Sequence, residues 1–123
     1  IMNKHEVFHA IIDFEHEVGE SFFDRFGSYV NPASFMFWAR GKDYINIEQF
    51  NEWEHAYENG ELEADDLNYY VYTDDEDVTF ALVIDEEMEE ETYHAALRIF
   101  SEFIAESSVY KSRFEGFIIS GDY

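Results

Sequence analysis

The sequence predicts an α+β fold, with helices packed on one face of a small antiparallel sheet of about three strands, as one compact domain over residues 1–123. Three observations lead there. Apolar residues recur at helical spacing over His5–Phe26, Asn46–Tyr57 and Glu86–Ser107. Between the last two of these, Asn68–Thr73 (NYYVYT) and Val78–Asp85 (VTFALVID) are rich in β-branched and aromatic residues and flank an acidic DDED. Finally, 123 residues that are 46% hydrophobic and 20% aromatic suffice for one well-filled core.

Taken in order, His5–Phe26 reads as a helix. Val7, Phe8, Ile11, Phe14, Val18, Phe22 and Phe26 share one broad arc, and Gly27 stands where a C-terminal cap belongs. Glu15 projects close to that apolar arc, which suits a carboxyl at the rim or paired with Lys or Arg. Asn31-Pro32 starts a short helix carrying Phe35, Met36, Phe37 and Trp38 and ending at Gly41. Asn46 opens the next, which buries Ile47, Phe50, Trp53 and Tyr57 before Asn59-Gly60 stops it. Glu61–Leu67 admits a further turn of helix. The two strand-like runs form a hairpin around Asp74–Asp77. Glu86–Ser107 returns to helix on Tyr93, Ala96, Leu97, Phe100, Phe103 and Ile104. A short helix near Val109–Arg113 and a strand at Gly116–Ser120 (GFIIS), joining the hairpin as a third, complete the chain.

Charge is the dominant chemical feature. There are 29 Asp+Glu against 7 Lys+Arg, a formal net charge of -22. Two carboxylates about 7 Å apart repel by roughly 0.6 kcal/mol in a water-like dielectric, and salt screens this over about 8 Å. Many such pairs sum to several kcal/mol, a large share of a typical stability of about 5–15 kcal/mol. This charge argues against direct binding of nucleic acid or an anionic membrane, and favours a basic partner. The acids are also segregated. Between Asp43 and Leu97, 55 residues hold 19 acids and neither Lys nor Arg. Lys4, Arg25, Arg40, Lys42, Arg98, Lys111 and Arg113 all lie outside that span.

The absence of Cys removes disulfide and thiolate chemistry. No run of about 20 apolar residues suggests a membrane span, and no basic-then-apolar leader pattern opens the chain. Ile1 before Met2 suggests a native start at Met2, and the expected location is cytoplasmic. H-E-V-F-H at His5–His9 matches H-E-x-x-H, the zinc-hydrolase arrangement. It falls on the first turn of a helix, opposite the apolar arc, with only Asp13 and His16 of the same helix as further ligands. Those features favour an ordinary solvated helix face. Asp74–Asp77 lacks the spaced ligands and central Gly of a calcium loop. His55 and His94 have no accompanying nucleophile motif, and the six glycines form no phosphate-binding loop. The reading is of a non-enzyme with no metal and no cofactor.

A duplex carries one phosphate charge per about 1.7 Å of its axis. Carboxylates held at comparable spacing on a rigid scaffold would meet the Lys and Arg that otherwise grip those phosphates. The candidate partner-binding residues are Glu61, Glu63, Asp65, Asp66, Asp74, Asp75, Glu76, Asp77, Asp85, Glu86, Glu87, Glu89, Glu90 and Glu91. In charge, size and acid clustering the chain resembles the acidic DNA-mimic proteins of bacteria and phages. That resemblance implies a partner among histone-like nucleoid proteins such as HU, restriction enzymes, repressors or nucleases, whose DNA binding it would block. It carries no diagnostic motif. The alternative is an immunity protein neutralising a basic nuclease toxin, for which Tyr69, Tyr70 and Tyr72 beside the DDED turn would supply an aromatic hot spot.

Overall fold

A computed structural model describes residues 2–26, 29–60, 69–73, 78–82 and 90–120. Its elements are α1 (Lys4–Val18), α2 (Phe22–Phe26), α3 (Pro32–Gly41), α4 (Ile47–Glu58), β1 (Tyr69–Thr73), β2 (Val78–Leu82), α5 (Glu90–Glu106) and α6 (Ser108–Ser120). They fall into two compact units, Ile1–Val30 with Glu89–Tyr123, and Asn31–Met88.

The first unit is helix on helix. Asn3 caps α1, its side chain accepting from the Glu6 amide at 2.9 Å. Val7, Ile11 and Phe14 form a buried stripe at i, i+4, i+7 facing α5. α5 contributes Ala96, Leu97, Phe100, Phe103 and Ile104, and α6 contributes Tyr110, Phe114 and Phe117. At the centre lies Phe22 of α2, fully buried, with the rings of Phe14, Phe26, Phe100, Phe114 and Phe117 all within 6.3 Å of it, centroid to centroid. Ser101, the one polar residue of this core among those described, donates its hydroxyl to the Leu97 carbonyl at 2.6 Å and so is not left unsatisfied.

The second unit packs α3 with α4 and sets both beside β1. Asn31 caps α3 through the Ala33 amide, with Pro32 in the first turn. Phe35, Met36, Ala39, Ile45, Phe50 and Trp53 are buried. β1 and β2 pair antiparallel from Tyr69 opposite Leu82 to Thr73 opposite Val78. α4 ends as its composition implies, Gly60 taking a left-handed φ of 68° that only glycine adopts without strain.

The expected α+β architecture is overturned. The described chain is predominantly helical, and its strands form a two-stranded ribbon rather than a sheet on which the helices lie. The expected third strand, Gly116–Ser120, is the last part of α6. GFIIS has β-forming composition, but Phe117 continues the 110/114/117 stripe, so helical continuation buries it against Phe14, Phe22 and Phe26. Tertiary burial overrides local propensity here. The price is Ile119, left 83% exposed. A second correction concerns His5–Phe26, which is two helices. Gly19 takes a left-handed φ of 75° and its amide returns to the Glu15 carbonyl, closing α1 at Val18. Gly27, expected as the cap, lies outside the described residues, as do Glu61–Leu67 and the DDED turn. Ile47 and Tyr57, expected in the core, are 51% and 45% exposed.

Gly116 has no structural reason to be glycine. A Cβ there would meet nothing within 4 Å, and its φ is not left-handed. Gly116→Ala should therefore stabilise the protein by about 0.5–1 kcal/mol through helix propensity and unfolded-state entropy. Urea denaturation checks this, and a loss of stability would mean that the outer face of α6 is covered.

Candidate partner-binding surface

Of the residues the sequence nominates, Glu90 and Glu91 are described. Both are exposed in the first turn of α5, where carboxylates favour the positive helix end. Glu90 lies 4.0 Å from His94. Glu61, Glu63, Asp65, Asp66, Asp74, Asp75, Glu76, Asp77, Asp85, Glu86, Glu87 and Glu89 lie outside the described residues.

The structure directs attention to α4 instead. Phe50 and Trp53 anchor its inner side. Glu48, Asn51, Glu52, His55 and Glu58 are exposed within an arc of about 120° on the opposite side. Glu48 and Glu52 are about 6 Å apart along the axis, and Glu52 and Glu58 about 9 Å. One DNA strand advances about 3.4 Å per phosphate, so α4 alone offers a carboxylate for roughly every second or third phosphate. Partly buried Glu54 and half-exposed Tyr57, the latter stacked on Trp53 at 5.2 Å, border the strip. These residues were not singled out from sequence, although α4 lies in the span free of Lys and Arg. In the first unit, Glu6, Asp13 and Glu17 make a separate exposed acidic stripe along α1.

Three of the cations are engaged with aromatic rings. Arg40 lies over Phe50 at 4.9 Å, Arg98 over Phe8 at 5.1 Å, and Arg113 over Tyr110 at 5.7 Å. None of the three makes an ion pair among the described residues. Ion pairs of Lys and Arg there include Lys4–Glu102 at 3.8 Å and Arg25 with Glu20. The hydrogen bond from Arg25, aided by its charge, lowers the Glu20 carboxyl below the usual range. Its small contribution is present above the unfolded value and lost as pH falls through the folded one.

Glu15 has a structural role. Of the two expectations for it, a place at the rim or a pair with Lys or Arg, it is half-buried, and among the described residues it pairs with neither Lys nor Arg. Its Oε2 accepts from the Phe22 amide at 2.8 Å and from the Tyr93 hydroxyl, which also lies 3.0 Å from Ser21 Oγ. One half-buried carboxylate thus caps α2 and ties it to α1 and α5. Glu15→Ala should cost about 2 kcal/mol by removing the acceptor of the Phe22 amide and one partner of the Tyr93 hydroxyl, and Glu15→Gln about half that. Equal losses in urea denaturation would show that charge, not acceptance, holds the junction.

His5, Glu6 and His9 of the H-E-V-F-H match are all exposed on α1, and among the described residues no group of three His, Asp or Glu is placed to hold a metal ion. No described helix is long and apolar enough to cross a membrane. No protein-family model, curated protein or solved structure matches this chain.

Proposed function

We propose that this protein is a DNA mimic, presenting phosphate-like carboxylates to a basic DNA-binding protein and blocking its access to DNA. The partner class is a histone-like nucleoid protein, restriction enzyme, repressor or nuclease, met in the cytoplasm, and no catalysis is involved. The supporting observation is the division of labour among charges. Arg40, Arg98 and Arg113 cover aromatic rings, and Glu48, Glu52 and Glu58 make no ion pair among the described residues, on a helix fixed by Phe50 and Trp53. Rigid support is what separates a mimic from an acidic tail, because mutually repelling groups keep a defined spacing only when the backbone beneath them is held.

A second reading, an immunity protein against a basic nuclease toxin, draws on Tyr57, Glu54 and Glu58. An exposed aromatic ring beside carboxylates suits a compact hot spot better than a phosphate track. The two separate in one experiment. The immobilised protein is loaded with bacterial lysate, and bound partners are eluted from one half with duplex DNA and from the other with salt. Release of a basic DNA-binding protein by DNA is the expected result. A partner released by salt but indifferent to DNA would replace mimicry with the immunity reading.

A further inference from the structure

Arg113, in a chain of 29 acids, pairs with no described carboxylate, as is true of Arg40 and Arg98, but it alone of the three lines a described cleft. Its guanidinium is oriented rather than loose: Nη1 donates to the Tyr29 carbonyl at 2.9 Å, and the group lies over the Tyr110 ring. It lines a cleft of about 350 Å³ in the first unit, together with Phe26, Tyr29, Phe117 and Ser120. Phe26 and Phe117 are buried core rings, so the cleft has an apolar floor, while Arg113 and Tyr29 are exposed. An apolar recess with one positioned cation is the usual construction of a small-ligand site.

We propose that this cleft binds a small aromatic monocarboxylate, its ring against Phe26 and Phe117 and its carboxylate on the guanidinium of Arg113. Size and charge both select this class. A cavity of about 150 Å³ accommodates benzene, so 350 Å³ takes one ring with a short side chain. A guanidinium has five N–H donors in a planar fork that fits a carboxylate bidentately, and one of them is occupied by Tyr29. The net charge of -22 opposes polyanions such as nucleotides far more than a monoanion whose apolar body contributes part of the affinity. Ligand binding in this cleft requires nothing of the acids of α4 or of the function proposed for them.

The probe is 3-phenylpropionate, titrated into the full chain and followed by amide NMR shifts, with 3-phenylpropionamide as its neutral isostere. Expected is saturable binding with a dissociation constant of about 1 mM or tighter, with shifts centred on Phe26, Tyr29, Arg113 and Phe117. The amide should bind at least tenfold more weakly. Arg113→Gln should abolish that preference, and Arg113→Lys should restore part of it; the position is exposed, so both variants retain the fold. Failure of the acid to saturate, equal binding of acid and amide, or shifts centred elsewhere would each overturn the proposal.

Discussion

Phe22→Ala is expected to lower stability by about 3–5 kcal/mol, the range for deleting a fully buried aromatic ring when the cavity cannot close. Five phenylalanine rings surround Phe22, and they come from four helices: Phe14 on α1, Phe26 on its own α2, Phe100 on α5, and Phe114 and Phe117 on α6. Each of those rings is held by its own helix, so none can swing in without moving backbone. Against a typical stability of about 5–15 kcal/mol, such a loss puts the variant near the edge of folding. The melting temperature should drop by roughly 10–20 °C for a chain of this length. Val109→Ala, at a position 56% exposed on α6, provides the comparison and should change stability by no more than about 0.5 kcal/mol. A cost below about 1.5 kcal/mol for Phe22→Ala would mean that α2 is not seated in the core.

The second large effect concerns binding. Reversing Glu48, Glu52 and Glu58 together to Lys should weaken the affinity for the basic partner on the order of 100-fold near physiological salt, about 0.9 kcal/mol per site. The fold should persist, because all three side chains are exposed and make no ion pair among the described residues that the substitutions would break. The thermal midpoint should if anything rise, since self-repulsion falls as the net charge moves from -22 toward neutrality. Reversal of Glu6, Asp13 and Glu17 on α1 changes the net charge by the same amount and serves as the control. Equal loss from both triple variants would show that the overall field attracts the partner and that α4 has no special part. Retained affinity in the α4 variant alone would remove that helix from the interface. Affinity of the unaltered protein should also fall steeply with added salt, as it does for any interface built on screened charges.

Local signals located several elements well. Asn31-Pro32 and Gly41 bound α3, and Asn46 and Asn59-Gly60 bracket α4, because capping side chains, proline and left-handed glycine act within a few residues and need no tertiary partner. The buried stripe of α5 followed from its period for the same reason. The break at Gly19 is not legible from period, because the apolar arc runs through it without interruption. Gly19 closes α1 in a left-handed turn, and the Glu15 carboxylate then caps α2 and accepts from Tyr93, 78 residues away. Among acids, exposure and rigidity are likewise not written in residue type. Helical phase puts Glu15 near the apolar arc but does not name its partners, and only the packing shows that it joins three helices while Glu48 faces solvent.

By itself, then, the sequence determined the charge of -22, its segregation into a span without Lys or Arg, and the helices whose ends are capped locally. Only the tertiary structure decided that GFIIS is helical. Its β-branched pair prefers an extended chain by tenths of a kcal/mol, whereas a helix brings Phe117 onto Phe14, Phe22 and Phe26, and burying an aromatic ring is worth about 1.5–3 kcal/mol. The arginines follow the same logic: composition counts them as counter-ions, but packing lays three of them over rings.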